Sequence, residues 1–503
     1  MNNNTEIYML VNSLTKSEKR YFSLFAKRHV LGSENEYVTF FRTICFTSNC
    51  NDEIIKHKLN VQGQNIKIFK SKKRQLFGLI MKSLTHFHMN GDILKDVFNY
   101  SKLLLAVEKN LLNEASGIIA SLKDSLYLNE NYILLLDVLN IEVSILHKNP
   151  EVEGFFKQLS SILNEKKRVL SLVVLDTKLQ RIHNELYYLT LISTKINYST
   201  LKAKVKFLLK NKTLNEQQKF ASVSSLSYTL RINSAGHYLL GDLKKSFQAR
   251  KKLADSLINN PRYSTAKPEE FFVALYNCIG AALSSKQQKI AEVYLQVFEQ
   301  SIGSIGARNK NHYLMMFYPI KISYYLEFKY YKSGLKFLQE NGTMENFTIR
   351  SKDDLHRVIT TWYLILLHYH TGNIRKVNYL LNLLVGGKKP DRLFEFIRVA
   401  HVLRLIIAFE QDKLSRFKEI YKECVELKYV FSSENFLSEF CSILFEIISN
   451  RSDTILINGS YKKLRKCIGK ASNSQSGKRI FEFFDFSEWL KKNMHITSVR
   501  SFN

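Results

Sequence analysis

Histidine pairs and cysteines are the side chains of this sequence whose types could form a metal site. The histidines separated by one residue form two pairs, His86/His88 and His368/His370. On a helix, side chains two positions apart diverge by about 200°, so neither pair can chelate one ion. Cys45 and Cys50 have a poor zinc spacing, and no HExxH pattern occurs. We therefore expect no metal site.

Phosphate-binding and nucleophile motifs are incomplete. Gly477–Arg479 lacks both the leading glycine and the following Ser/Thr of a GxxxxGK loop, and Gly303–Gly306 does not match GxGxxG. We predict helix C-caps or linkers at both places. Neither a GxSxG elbow nor a local cysteine signature is present. Adjacent carboxylates fall at predicted helix starts, where they complement the helix dipole: Glu269/Glu270 and Asp353/Asp354. The chain is expected to be non-enzymatic and without a cofactor.

Positive charge is the most pronounced bulk property. Lysine and arginine number 74 against 45 aspartate and glutamate residues, a formal net charge of +29. This charge fits either a polyanion partner, such as nucleic acid or an anionic membrane surface, or a lysine-coated surface that serves solubility. Lysine outnumbers arginine, the residue suited to bidentate phosphate recognition, which favours the second reading. The candidate polyanion contacts are Lys70, Lys72, Arg74, Lys462, Lys463, Arg465 and Lys466.

Helical geometry argues against a single basic face in the first of these runs. The helix predicted to carry it has an apolar stripe through Phe69, Leu76 and Ile80. At about 100° per residue, Lys73 lies close to the centre of that stripe, and its basic neighbours point to both flanks. The charges therefore surround the helix, as at a solvated helix start, instead of forming a face that contacts nucleic acid.

Cysteine usage and hydropathy indicate the compartment. The six cysteines contain no CxxC pair, which is typical of buried thiols in a reducing compartment. The start, MNNNTEIYMLVNSLTKSEKR, lacks the basic region and apolar region of a signal peptide. No apolar run reaches the length of about 18 residues that spans a membrane. We expect a cytoplasmic protein without membrane insertion.

Helix-break-helix units recur along the chain. Clear breaks fall at Gly241-Asp242, Gly372-Asn373 and Gln411-Asp412. Weaker breaks fall near Asn110, Pro150, Asn197, Ser285, Lys329 and Ser452. Most are spaced about 39 to 45 residues apart, the range of two-helix repeats. Neither helix of such a pair can bury its apolar face alone, so stacked neighbours must cover it.

Scarce turn residues support a helical array. The chain has 19 glycines and 5 prolines, which argues against a turn-rich β fold and for helices joined by short turns. Pro261, Pro268 and Pro390 fall between units, where a helix must stop, whereas Pro319 predicts a kink inside a helix. The predicted fold class is all-α, with an α-solenoid of about eight or nine helical hairpins.

Both ends differ from the repeats. The predicted domains are a helical N-terminal domain (1–92), the solenoid (93–470), and a linker with a C-terminal capping helix (471–503). The pattern Thr15-Lys-Ser-Glu18 is a capping box that opens a helix. Further N-terminal helices are predicted over about 35–46, 52–60 and 66–88. The capping helix is expected to dock Phe481, Phe484 and Trp489 on the last repeat.

Three stretches resemble a family of bacterial tetratricopeptide-like helical-repeat proteins of uncharacterised activity: SLTKSEKRYFSLFA (Ser13–Ala26), KSLTHFHMN (Lys82–Asn90) and FFDFSEWLKK (Phe483–Lys492). Tyr238–Asp242 and Tyr369–Asn373 are similar to the tetratricopeptide turn. The repeat spacing exceeds the usual length of about 34 residues, and the tryptophan-leucine-glycine opening is missing. The resemblance implies a tetratricopeptide-like, cytoplasmic interaction protein, and it carries over no functional residue.

Two functions remain open at this point. The leading hypothesis is a protein–protein interaction scaffold that binds an unknown protein or peptide, with lysine-rich rims favouring acidic segments. The alternative is a nucleic-acid-associated regulator with DNA-contacting N-terminal helices and sensing repeats. Basic residues on one surface of the N-terminal domain would favour the regulator, and basic residues along the concave solenoid face would favour the scaffold. Even dispersion would indicate a role in solubility alone.

Overall fold

The structure is a computed structural model that describes residues 6–27, 36–47, 51–59, 66–89, 91, 94–193, 196–216, 222–304, 307–349, 354–386, 394–426, 436–450, 453–474 and 480–500. Within these residues every regular element is an α-helix and no strand occurs, which confirms the predicted all-α class. In the same part of the chain, no helix combines the length and the apolar character needed to cross a membrane.

The chain divides into two compact units, Met1–Cys278 and Ile279–Asn503. The first unit contains α1 (Glu6–Ser13), α2 (Lys16–Lys27), α3 (Glu36–Cys45), α4 (Asp52–Lys58), α5 (Ile66–His88), α6 (Lys95–Glu108), α7 (Leu112–Leu128), α8 (Tyr132–His147), α9 (Phe155–Ile192), α10 (Tyr198–Leu209), α11 (Thr213–Glu216), α12 (Val223–Leu239), α13 (Leu243–Ile258) and α14 (Pro261–Ala266). The boundary between the units falls within α15 (Pro268–Ser284).

The second unit contains α16 (Gln288–Gly303), α17 (Ala307–Glu327), α18 (Tyr331–Glu340), α19 (Gly342–Ile349), α20 (Asp354–His370), α21 (Ile374–Gly386), α22 (Phe394–Glu410), α23 (Leu414–Glu426), α24 (Phe436–Ser449), α25 (Thr454–Asn473) and α26 (Phe486–Arg500). The finer domain limits at residues 92 and 470 stay predictions.

Four of the first five helices, α2 to α5, match those predicted for the N-terminal region, and α1 is an additional helix. The capping box forms as expected, because the Glu18 N–H donates to Thr15 Oγ1 at 3.2 Å and the Thr15 N–H donates to Glu18 Oε2 at 2.7 Å. Phe22 and Phe41 pack in the core of these helices, with ring centroids 4.4 Å apart. Local capping and a local apolar stripe are therefore sufficient to define α2.

The region after α5 differs from the predicted succession of hairpins. α6, α7 and α8 follow one another through turns at Asn110 and Glu130, and α9 then continues for 38 residues. The stretch Phe155–Ile192 contains neither glycine nor proline, and its buried residues recur along one continuous stripe, so nothing stops the helix. The breaks predicted near Pro150 and Asn197 are confirmed as helix boundaries, but one long helix takes the place of a hairpin between them.

A carboxylate at one of these turns holds the start of a distant helix. Glu130 accepts hydrogen bonds from the N–H groups of Val223 and Ser224, both at 2.7 Å, in the first turn of α12. Ser222 Oγ donates to the same carboxylate at 3.1 Å. A carboxylate at a helix N-terminus pairs with unsatisfied N–H groups and with the positive end of the helix dipole. The α7–α8 turn is thereby fixed against α12.

Two of the four prolines that the structure describes lie at helix starts. Pro261 begins α14 and Pro268 begins α15, so a short helix occupies the loop predicted between them. A fixed φ and a missing N–H are tolerated in the first turn of a helix. Pro319 lies inside α17, which continues to Glu327. Pro390 lies outside the described residues.

One turn geometry recurs along the chain. After each of several helices, a residue with positive φ donates its N–H to the carbonyl three residues earlier, and the following N–H donates to the carbonyl five residues before it. This is the Schellman pattern of helix ends. The positive-φ residues are Asn110, Glu130, Gly241, Lys286, Lys329, Gly372 and Asp412. The breaks predicted at or beside Asn110 and from Gly241 to Asp412 are confirmed as such turns, and Ser452 lies outside the described residues.

A large hydrophobic core runs through the second unit. The pairs α20/α21, α22/α23 and α24/α25 pack against each other, and Trp362 and Phe440 are almost fully buried. The same core contains the thiols of Cys424, Cys441 and Cys467. Burial, helped by the neighbouring Glu423 carboxylate, raises the pKa of the Cys424 thiol to about 12. These three cysteines agree with the expectation of buried thiols.

Candidate functional site

The second unit contains a groove with a volume of about 970 Å³. Three helices end beside it, α17 at Glu327, α20 at His370 and α22 at Glu410. The segment Phe481–Asn493, which includes the first half of α26, also lines it. We call this cavity the C-terminal groove and the segment the C-terminal segment. The walls of the groove therefore combine the C-terminal segment with helix ends that are far from it in sequence.

Aromatic side chains hold the C-terminal segment in place. Phe483 packs against Phe396 of α22 with ring centroids 4.5 Å apart, and Phe484 packs against Tyr369 of α20 at 5.9 Å. Trp489 is 3% exposed and contacts rings of both α22 and α24. Burial of a large apolar side chain contributes about 1.5–3 kcal/mol, so packing is the main attachment of the segment.

Both tryptophans of the chain donate hydrogen bonds at this contact. Trp362 Nε1 donates to the backbone carbonyl of Phe483 at 3.2 Å. Trp489 Nε1 donates to Glu410 Oε1 at 2.8 Å, and the Tyr369 hydroxyl donates to the same oxygen at 2.6 Å. Burial and the Glu410 carboxylate raise the pKa of Tyr369. The Glu410 carboxylate therefore links α20, α22 and α26.

An ion pair ties the segment to a hairpin turn. Lys329, the positive-φ residue after α17, places its Nζ 2.9 Å from Glu488 Oε1. Lys492 lies 3.4 Å from the same oxygen. The hydrogen bond from Lys329, together with both positive charges, lowers the pKa of Glu488. This contact joins two residues that are 159 positions apart.

His370 faces the groove, whereas His368 faces the core. The His370 ring stacks on Tyr331 with centroids 4.6 Å apart and an interplanar angle of 11°. Burial, followed by the Lys492 charge, lowers the pKa of His370 to about 4. His368 is buried, and neither ring nitrogen has a hydrogen-bond partner among the described residues. The divergence expected for this i,i+2 pair is confirmed.

The expected docking of the final helix is only partly correct. Phe481 packs against Phe436 of α24 at 5.6 Å, as expected for the last hairpin. Phe484 and Trp489, however, reach α20 and α22 as well. The segment thus lies across three hairpins and does not cover the last one alone. The physical reason is that α20 and α22 offer aromatic partners, Tyr369, Phe396 and Phe409.

The basic candidates on α5 do not form one charged face. Two of them are exposed, Lys70 and Arg74. Lys72 pairs with Glu36 at 2.9 Å. The neighbouring Lys73 is 5% exposed and pairs with Asp52 at 2.6 Å, in agreement with its predicted place on the apolar stripe. Two of the four positive charges in this run are therefore neutralised inside the first unit.

The basic candidates on α25 lie on its outer side. Tyr461 and Leu464 are buried, while the other face of the helix presents the candidates Lys462, Lys463, Arg465 and Lys466. Lys463 pairs with Glu446 at 3.0 Å. The residues that line the C-terminal groove include none of the seven candidates. Their contact with a polyanion stays a prediction.

The histidine pair of α5 has a structural role. His88 Nε2 shares a hydrogen bond of 2.7 Å with Glu18 Oε1, and His86 packs against Phe25 with centroids 5.4 Å apart. α2 and α5 therefore meet through two of the stretches that carry the family resemblance. In the part of the chain that the structure describes, no three side chains suited to a metal ion converge.

The remaining motifs do not form a catalytic or binding site within the described residues. Gly303 ends α16, and Ser304 is its C-cap, as predicted. Glu269 and Glu270 lie in the first turn of α15, also as predicted. Several predicted positions lie outside the described residues, namely Cys50, Gly306, Asp353 and Gly477–Arg479.

A second polar cluster lies in the first unit. Glu270 accepts hydrogen bonds from Arg231 Nη2 at 2.8 Å and from the Tyr263 hydroxyl at 3.3 Å. Burial and the Arg231 charge lower the pKa of the nearby His183. This cluster connects α9, α12, α14 and α15. A separate depression of about 520 Å³ is lined by side chains of α9 alone, so it lacks a second wall.

Sequence reasoning missed the C-terminal groove because it assigned the aromatic residues to core filling. One local signal could have indicated it. An aromatic residue and a polar residue directly precede two of the turns, Tyr369-His370 before Gly372 and Phe409-Glu410 before Asp412. In the structure both pairs line the groove.

Comparison of the chain with protein-family models, with curated proteins and with solved structures found no match. The resemblance seen in the three stretches therefore stays a prediction. The function has to be argued from the groove and from the helices that form it.

Proposed function

We propose that this chain is a non-enzymatic, cytoplasmic scaffold that binds a protein or peptide partner in the C-terminal groove. Its proposed architecture is a tetratricopeptide-like α-solenoid. The Schellman turns from Gly241 to Asp412, which are 40 to 45 residues apart, support this repeat. The helix before each of these turns has 17 to 21 residues. The number of hairpins, eight or nine, stays a prediction.

One observation carries the proposal: the face formed by α20 and α22 already holds a segment of polypeptide. Trp362 donates a hydrogen bond to the backbone carbonyl of Phe483. Tyr369 of α20 and Phe396 of α22 pack against aromatic side chains of the C-terminal segment. Helical-repeat proteins use extended surfaces of this kind to bind peptides. The groove that remains open is near the upper end of the usual range for ligand pockets, about 300–1,000 Å³, so it has space for several side chains.

The titratable groups of the groove support recognition over catalysis. Glu488 is paired with two lysines, and Glu410 accepts two hydrogen bonds from neutral donors. Their contacts join elements of the fold. The function that these contacts support is therefore binding.

A pair of matched tyrosine variants tests the proposal. Tyr331 lines the groove, whereas Tyr379 is 59% exposed on α21 and does not line it. Tagged wild-type, Tyr331→Ala and Tyr379→Ala chains would be expressed in the native host, crosslinked and purified, with thermal unfolding followed by circular dichroism as the folding control. We expect at least one protein to be recovered with wild type and Tyr379→Ala but lost with Tyr331→Ala. Recovery of every protein in equal amounts from the three chains would contradict the proposal.

A further inference from the structure

The C-terminal groove has the opposite charge to the whole protein. Among the residues that the structure describes, its lining contains six carboxylates and three lysines, a local charge of −3, in a chain whose formal net charge is +29. The carboxylates are Glu327, Glu410, Asp412, Glu482, Asp485 and Glu488. The lysines are Lys286, Lys329 and Lys492. A cleft of one sign on a protein of the other sign selects its partner by charge.

The distribution of these charges leaves the groove open to a cation. Two of the three lysines, Lys329 and Lys492, already contact the single carboxylate of Glu488. Glu410 takes its hydrogen bonds from a phenol and an indole, which satisfy the oxygen without bringing a positive charge. Glu327 is exposed at the groove. A lysine or arginine entering here would meet more negative than positive charge.

The aromatic lining adds a second preference. Tyr331, Tyr369 and Trp489 line the groove together with the carboxylates. Ring faces attract ammonium and guanidinium groups and also accept apolar side chains. An anionic segment would be repelled by the carboxylates. The groove therefore suits a segment in which basic residues alternate with apolar or aromatic ones.

We propose that the C-terminal groove binds a lysine- or arginine-bearing segment of another protein, with the C-terminal segment as one wall of the site. The inference rests on the proposed scaffold function and names the chemistry of its partner. Half of the carboxylates belong to the C-terminal segment, so the site is complete only when that segment is docked. The earlier expectation of an acidic segment, favoured by lysine-rich rims of the solenoid, stays a separate prediction.

The test uses the full chain and defined probes. The first probe is a fluorescein-labelled peptide in which lysine alternates with leucine and tyrosine, and the second carries glutamate in place of each lysine. Glu327→Gln/Glu482→Gln neutralises two of the six carboxylates of the groove, and Glu151→Gln/Glu153→Gln neutralises two exposed carboxylates of the first unit. Both double variants change the net charge equally, so any difference between them is local. Binding is read by anisotropy at about 0.15 M salt.

We expect the lysine peptide to bind wild type and Glu151→Gln/Glu153→Gln alike, and Glu327→Gln/Glu482→Gln about fivefold more weakly. Emission from Trp362 and Trp489, the two tryptophans of the chain, should change on binding, because both lie at the groove contact. Equal affinity of the three chains, or displacement of the lysine peptide by the glutamate peptide, would overturn the inference. So would self-association in sedimentation that Glu327→Gln/Glu482→Gln abolishes, because the occupant would then be a second copy.

The two proposals can fail separately. A partner recovered through Tyr331, with no binding of the lysine peptide, would retain the scaffold and reject the cationic partner. Failure of both experiments would reject both.

Discussion

His370 is a groove residue whose protonation is controlled by its surroundings. Its ring stacks on Tyr331, and burial together with Lys492 and Lys329 lowers its pKa to about 4, while Glu488 and Asp485 act in the opposite direction. The neutral ring is therefore the form present at neutral pH. The neutral ring suits an apolar or cationic side chain. A protonated His370 would repel a cationic one.

The lowered pKa of His370 predicts a loss of stability in acid. The unfolded chain takes up the proton near the ordinary pKa of 6.5, and the folded chain only near about 4. The contribution of His370 is thus fully present above pH 6.5 and is lost progressively as the pH falls toward about 4. His370→Phe keeps a ring against Tyr331 but cannot titrate. Between about pH 7.5 and pH 5, the free energy of unfolding should fall on the order of 1 kcal/mol more in wild type than in His370→Phe. Urea unfolding at each pH measures this difference.

Other acid-sensitive groups, including His368, are common to both chains and cancel in this comparison. An identical loss in wild type and His370→Phe would show that the His370 ring is not held in its neutral form.

At the scale of elements, the Schellman turns join the helix pairs. They place a residue at positive φ, a conformation that glycine adopts freely and that costs other residues about 1–2 kcal/mol. Glycine occupies this position at Gly241 and Gly372, whereas Lys286, Lys329 and Asp412 occupy it at the other turns of the same series. Lys329 forms an ion pair with Glu488, which a glycine at this position could not form.

Two glycine-to-alanine variants of the first unit should shift stability in opposite directions. Gly241 has φ +79°, so Gly241→Ala should lower the free energy of unfolding by about 1–2 kcal/mol. Gly117 lies inside α7 at an ordinary helical φ, and an added Cβ meets nothing within 4 Å. Gly117→Ala should therefore raise stability by up to about 1 kcal/mol. The measurement is the urea midpoint followed by circular dichroism. A Gly241→Ala chain as stable as wild type would contradict the left-handed turn.

At the scale of the whole molecule, the chain carries a formal net charge of +29. Lys72 and Lys463 are held in ion pairs, and the exposed candidates occur on α5 in one unit and on α25 in the other. Their arrangement favours solubility and weak, non-specific association over a nucleic-acid-reading face.

Binding to random-sequence duplex DNA should therefore be weak and sensitive to salt. With about three phosphate contacts, affinity should fall on the order of tens of fold between about 0.05 M and 0.2 M salt. Fluorescence anisotropy with labelled DNA measures this dependence. Replacing Lys462, Arg465 and Lys466 with glutamine should reduce the salt slope. Absence of binding at low salt would rule out the regulator, whereas tight, sequence-dependent binding at about 0.15 M salt would favour it over the scaffold.

Local sequence patterns were sufficient to predict the all-α class and many of the breaks between helices. The capping box at Thr15–Glu18, the stop at Gly241-Asp242 and the placement of Lys73 on an apolar stripe were all predictable. These features depend on residues within about one or two helical turns of each other, so local patterns carry the information. The unbroken α9 follows the same rule, because its stretch contains no residue that stops a helix. The repeat spacing had instead predicted a hairpin there.

Only the tertiary structure decided which residues form the groove. Trp362 and Phe483 are 121 positions apart, and Lys329 and Glu488 are 159 positions apart. No local pattern encodes such pairs, because each aromatic residue of the C-terminal segment could equally have packed on the last hairpin alone. The choice depends on which buried rings the ends of α20 and α22 present once the helices are packed. The acidic groove of a basic protein arises in the same way, from carboxylates that only the packed helices bring together.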